Sequence, residues 1–263
     1  MLNHVDEAKR LEALSLVREG RMFDLGRVLD ENVPVFPGRF FRQTLVTTAH
    51  HANRNGGVGA AHVNWITEQV VGTMQLGTHL DALSHLQMDD RGYNGWTVAE
   101  LAGTAGVKKL GIETVPQIVT RGWLVDASRA EHVIEIADLG GIDPAPGDAV
   151  LFHTGWGSLW GVDNERYGGG EPGPGMALAR WLAEQRIALT GCDTWSYGPV
   201  PAEDPAEPFV VPQTLNTHHG VVVVENLRLA ELAASDVHEF LLVISHAKLR
   251  GATGAWVAPL AIV

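Results

Sequence analysis

Apolar residues along the chain fall into short runs punctuated by Gly, Pro, Asp and Asn. RGWLVDAS (121–128), GDAVLFHTGW (147–156), GVVVVENL (220–227) and HEFLLVISHAKL (238–249) read as strands, the first two buried. WITEQVVGTMQLGTHLDA (65–82) alternates as a strand or strand pair would, and MFDLGRVLDENVPVFPG (22–38) reads as a strand followed by a turn, with Pro34 and Pro37 in an exposed loop. Helical spacing is confined to four places. Residues 1–20 predict an amphipathic helix with Leu11, Leu14, Leu16 and Val17 near one face. TVAELAG predicts a short helix with Thr97 as N-cap and Glu100 closing a capping box. Met176, Leu178, Trp181 and Leu182 follow Pro174-Gly175 at helical spacing, and IALTG then returns as a strand. LRLAELAA (227–234) is the fourth. The polar segment 38–62, containing His50, His51 and His62, predicts a loop or hairpin near a site. No repeat, linker or charge run divides the chain, so the pattern predicts one mixed α/β domain after an N-terminal helical extension, with boundaries 1–21 and 22–263.

Composition narrows the function classes. With 45% hydrophobic and 19% charged residues, the 263-residue chain has enough apolar content for a substantial core. A formal net charge of −12 argues against a nucleic-acid groove or an anionic membrane as partner. No apolar stretch approaches the roughly 20 residues that span a bilayer, and no export signal is legible, so the expectation is a cytoplasmic protein. A single cysteine, Cys192 in IALTGCDTW, excludes an internal disulfide and a thiolate cluster, and its apolar flanks predict a buried, inert thiol.

The chemistry concentrates in MQLGTHLDALSHL (74–86). On a strand, His79 and Asp81 project to one side about 7 Å apart, with Gln75 and Gly77 at the same parity. Gly77 would open space for an ion, and His85 can fold back over the site if the strand ends there. Imidazole nitrogen beside carboxylate oxygen suits zinc or manganese better than calcium, and a histidine outside the ligand set can carry a proton. His218 and His219 read as loop residues and His153 and His246 as core. Trp65, Trp156 and Trp195 read mostly as core, with one or two able to line a flat pocket for a cyclic or aromatic substrate.

GTHLDALSH resembles the central motif of the cyclase family of metal-dependent hydrolases, His-x-Gly-Thr-His-x-Asp-x-x-x-His, and the likeness extends in order over most of residues 22–263 through FDLGRVLDENVPVFPG, RGWLVD, GDAVLFHTGW, PGPGMALARWLAEQRIALTGCDTWS, GVVVVENLRLAEL and KLRGATGAWVAPLAIV. The resemblance implies β-sheets with flanking helices in a swivelling β/β/α arrangement, a homodimer or homotetramer, and a divalent ion, Mn²⁺ or Zn²⁺. It implies hydrolysis of an amide, lactam or ester bond of a small molecule through a metal-activated water. Carried over, His79 and Asp81 match metal ligands, His85 the catalytic acid/base, and Glu225 a glutamate that helps bind metal in two-zinc members. Two departures stand out. The family's first ligand histidine is Gln75, a weaker carbonyl donor, and the histidine about a dozen residues before the glutamate is replaced by Pro212 or Gln213 in FVVPQTL, which dismantles a second metal site. The acidic residue that often follows the DTWS-like segment is also missing, and Glu203 and Asp204 have no evident place. These departures keep open a metal-dependent lyase, dehydratase or cyclase, and a small-molecule binding protein that has lost catalysis.

Overall fold

Strands whose every residue is apolar can be satisfied only in the middle of a sheet covered on both faces, and that is where this chain puts them. The computed structural model describes residues 1–47 and 57–263. In chain order the strands are β1 (Met22–Asp24), β2 (Phe41–Thr47), β3 (Thr67–Gly72), β4 (His79–Asp81), β5 (Ala102–Gly103), β6 (Gly106–Val107), β7 (Ile118–Asp126), β8 (Val133–Ile134), β9 (Ala149–His153), β10 (Gly173–Pro174), β11 (Leu189–Cys192), β12 (Val222–Glu225), β13 (Glu239–Ile244), β14 (Gly254–Trp256) and β15 (Leu260–Ile262). The helices are α1 (Glu7–Leu14), α2 (Val98–Leu101), α3 (Asn164–Gly169), α4 (Met176–Glu184), α5 (Val210–Gln213) and α6 (Ala230–Ala234), with short 3₁₀ turns between elements.

Nine strands form one mixed sheet in the order β1-β15-β13-β7-β9-β11-β12-β4-β14. Its centre, β7-β9-β11-β12, is parallel, and the strands beyond it pair antiparallel. Alternation sorts the side chains into two cores. Ala149, Leu151, Val222 and Val224 enter one apolar cluster, Val150, Phe152, Val221 and Val223 the other. Leu178, Ala179, Leu182 and Ala183 of α4 cover the second face. The first cluster also holds Phe23 and Ala261 from one edge of the sheet and Leu80 and Ala255 from the other, so the sheet curls around it.

The expected elements at 97–103, 121–128, 147–156, 173–191 and 220–227 are present, and the Thr97–Glu100 capping box forms. Of segment 38–62, residues 41–47 form β2, which pairs antiparallel with β3, and His50 and His51 lie outside the described residues. Three expectations are corrected. Helix α1 turns the opposite side inward: Ala13 and Lys9 are buried while Leu11 and Leu14 are exposed. An ion pair decides this, because Lys9 Nζ lies 2.9 Å from the buried Asp148 carboxylate, which also accepts from Trp123 Nε1. Trp65 is surface, 48% exposed on the hairpin side, rather than core. The strand around the motif is shorter than its alternation implies, beginning only at His79.

Candidate metal centre

Gly77 ends the irregular approach to β4 in a left-handed conformation, φ +56°, that L-residues disfavour. It does not make room for an ion: a Cβ there would meet Leu29 Cδ2 at 2.0 Å. What it supplies is a carbonyl, 2.8 Å from His79 Nδ1. With Nδ1–H donating to that oxygen, Nε2 carries the free lone pair. From His79 the strand is fully buried, Leu80 facing the core and His79 and Asp81 facing away from it.

Pairing on both sides of β4 completes the centre. β12 runs antiparallel and sets Glu225 opposite His79, while β14 sets Gly254 opposite Asp81 and Trp256 opposite His79. His79 Nε2 lies 3.6 Å from Asp81 Oδ1 and 3.3 Å from Glu225 Oε2. Among the described residues, His79, Asp81 and Glu225 bring ligand atoms within 4.8 Å of one another. Tetrahedral ligands bound at about 2.0–2.2 Å stand roughly 3.3–3.6 Å apart, which matches these separations. His79 Nε2 and Asp81 Oδ1 are buried without a hydrogen-bond partner among the described residues. A lone pair facing carboxylate oxygens in a buried site needs a proton or a cation between them. The residues fit a divalent ion.

The electrostatics agree. Burial opposes a charged His79, but contact with Glu225 and the nearby Asp81 and Glu225 charges outweigh it and lift the imidazole above its ordinary value. Burial likewise lifts Glu225, against the pull of His79. Ion-free, the pair holds on to a proton.

His85 follows a turn, its N–H donating to Ala82 O, and places Nε2 3.9 Å from Asp81 Oδ1. It lies on the wall of a cavity of about 160 Å³ that also takes in Asp81 and Glu225. Gln75 reaches the centre from the loop before the strand, not along the strand. Its amide Nε2 donates to Thr253 Oγ1 at 2.9 Å, and Arg39 holds its backbone carbonyl. A Cβ at Gly254 would come within 2.8 Å of Gln75 Nε2 and 3.5 Å of Asp81 Oδ1, so that glycine keeps the floor of the site open.

The other polar candidates divide as follows. His246 is buried with Nε2 3.1 Å from Ile112 O, a core histidine as expected. His153, half-buried, pairs with Asp126 at 3.1 Å and is not on the cavity wall. His218 and His219 close a π-helix (Thr214–His218) and border an acidic depression away from His79; His62 is exposed. Cys192 is fully buried and its thiol is pushed well up by desolvation. Glu203 caps α4, accepting from Met176 N at 2.6 Å. The segment after DTWS is instead held by the buried Glu171, which accepts from the Trp195 and Ser196 amides and from Ser196 Oγ at 2.7–2.9 Å.

Trp195, one of the tryptophans expected as able to line a flat pocket, stands on the cavity wall with Phe36 and Phe209, centroids 5.6–6.4 Å apart, whereas sequence reasoning missed those two phenylalanines, Gly254, Thr253 and Glu171. Only Gly254, in the glycine-bearing run GATGAW, carries a local signal.

Comparison with known proteins places this geometry. The Cyclase family model matches residues 23–199. No curated protein matches the chain. Among solved structures, one described as a novel cyclase is 29% identical over 100% of this chain and 93% of its own, with a TM-score of 0.89. Isatin hydrolase A from Labrenzia aggregata, bound to benzyl benzoate, is 19% identical over 92% of this chain and 93% of its own, TM-score 0.68. A protein described as a predicted metal-dependent hydrolase from Bacillus stearothermophilus is 20% identical over 93% and 98%, TM-score 0.62. The last two share the fold, and the family match over most of the chain is decisive: this protein belongs to the cyclase family.

Proposed function

We propose that the protein is a metal-dependent hydrolase that opens an amide, lactam or ester bond of a small cyclic or aromatic molecule. One observation carries the reading: His79 Nε2 and Asp81 Oδ1, buried without a hydrogen-bond partner among the described residues, stand beside Glu225 at the edge of a cavity that His85 also lines. His79, Asp81 and Glu225 would hold the ion. Gln75 can add only its carbonyl oxygen, because a neutral amide nitrogen has no lone pair to offer; that nitrogen donates to Thr253 instead. The nitrogen-and-oxygen donor set suits Zn²⁺ or Mn²⁺. Such an ion supplies Lewis acidity towards a carbonyl and lowers the pKa of water.

The protein's own residues supply the rest. Glu225 and Asp81 offset the cationic charge, and the Gly77 carbonyl holds the His79 ring in one tautomer. His85, at the cavity wall, takes the proton of the attacking water as its oxygen adds to the carbonyl carbon. It then returns that proton to the nitrogen or oxygen released when the C–N or C–O bond breaks. The relatives described as isatin hydrolases make lactams the first substrates to assay.

Elemental analysis of protein purified without chelator should find about one ion per chain. Ring opening of lactams, lactones or formyl-amides should disappear with chelator and return with Mn²⁺ or Zn²⁺. Under about a tenth of an ion per chain, with no gain on adding either metal, overturns the proposal. His85→Ala should keep the ion and lose roughly 10²–10⁴-fold in turnover; loss of the ion instead would make His85 a ligand.

A further inference from the structure

Behind the metal centre lies a buried polar network that the hydrolytic chemistry leaves unused. Strand β12 ends at Glu225, and the next residue, Asn226, takes a left-handed φ of +57° while buried. Asparagine tolerates that conformation better than most residues, yet it persists only where the surroundings over-determine it. Three hydrogen bonds do so here. Asn226 N donates to Thr194 O at 2.7 Å, Asn226 O accepts from Thr78 Oγ1 at 2.8 Å, and Asn226 Oδ1 accepts from the Tyr167 hydroxyl at 2.8 Å.

The partners are themselves fixed. Thr78 Oγ1 accepts from Arg27 N at 2.9 Å, so its hydroxyl is held from both sides. Tyr167, on α3, is fully buried; Asp193 O lies 3.1 Å from its hydroxyl, and its ring meets Trp160 edge-on with centroids 5.6 Å apart.

Where the network sits gives it a function. Thr78 immediately precedes His79, Asn226 immediately follows Glu225, and His79 stands opposite Glu225 at the last printed pair of the β4-β12 register. The Thr78–Asn226 bond therefore ties the two strands one residue beyond the ligand pair, where the regular ladder stops. A site whose ligands are already spaced does not have to order them when the ion arrives, and it binds more tightly for that reason.

The structure assigns Thr78 and Tyr167 as positioning residues that act through Asn226 to fix the spacing of Glu225 and His79. Neither lines the cavity beside His85. This goes beyond the hydrolase reading and rests only on its ion-binding half.

The test is calorimetric titration of the metal-free protein with Zn²⁺, beside urea denaturation of each variant with chelator present. Thr78→Val keeps the shape and loses the hydroxyl, and should bind Zn²⁺ roughly 10- to 100-fold more weakly. Tyr167→Phe should weaken binding in the same direction. Thr78→Ser restores the hydroxyl and should recover most of the loss. Thr120→Val is the control for a merely structural bond: Thr120 Oγ1, buried on β7, donates to Gly147 O at 2.6 Å and adjoins no metal ligand. That variant should lose stability and keep its zinc affinity. Unchanged affinity in Thr78→Val, no recovery in Thr78→Ser, or an equal loss in Thr120→Val overturns the tie, and unchanged affinity in Tyr167→Phe overturns the part assigned to Tyr167. Failure of the unaltered protein to bind Zn²⁺ overturns the ion site and the tie together. Zinc bound with the expected losses but no lactam opening removes the hydrolase reading alone.

Discussion

Gly77→Ala tests whether the turn into β4 sets the metal centre. Two costs arise. The left-handed φ of +56° costs an L-residue about 1–2 kcal/mol, offset by about 0.4–1 kcal/mol because alanine restricts the unfolded chain. The added Cβ would sit 2.0 Å from Leu29 Cδ2, and overpacking of this kind costs about 1–3 kcal/mol. Leu29 is half-buried and its methyl is the far end of a flexible side chain, which favours the lower half of that range. The net expectation is a loss of about 1–4 kcal/mol. Gly95→Ala is the control, at φ +75° with no described atom within 4 Å of its Cβ, so only the backbone cost remains. Urea denaturation of both variants with chelator present isolates the difference, and equal destabilisation would refute the steric half of the argument. The same variant tests the coupling to function. Gly77 O is 2.8 Å from His79 Nδ1, and disturbing such a support of a ligand typically costs 10- to 100-fold in metal affinity. Calorimetric titration with Zn²⁺ should show that loss in Gly77→Ala and not in Gly95→Ala. Unchanged affinity would mean that the carbonyl does not orient the ring.

Two further outcomes follow from the same geometry. Ion binding should displace protons held by His79 and Glu225, read as a dependence of the calorimetric heat on buffer ionisation. His79 and Glu225 are both displaced upward, so the ion-free folded chain binds protons more tightly than the unfolded one, and its stability should fall as pH rises from the ordinary carboxylate value of 4.5 through and beyond the histidine value of 6.5; a rise over that window would contradict the sign. Gln75→His should raise metal affinity if the residue at 75 faces the ion, since imidazole is the stronger donor; equal affinity would exclude position 75 from the ligand shell.

Local rules legible in the sequence governed a large part of the fold. Thr97 and Glu100 bond reciprocally within one turn, Leu178 and Leu182 share a face because the helical period requires it, and 149–152 and 221–224 are buried on both sides because nothing in them tolerates water. His79 and Asp81 share a face for the same local reason, the two-residue period of a strand. Tertiary structure decided what lies across from them. Glu225 meets His79, and Gly254 meets Asp81, through the register of strands distant in sequence, which no local pattern encodes. The inward face of α1 went to Lys9 rather than to its leucines because Asp148, far along the chain, waits buried for a cation. Gln75 arrives by a loop pinned at Arg39 and Thr253, and the rings around the cavity come from three separate segments. Short-range geometry could therefore be read residue by residue, whereas the completed site depended on which strands and loops the folded chain brought together.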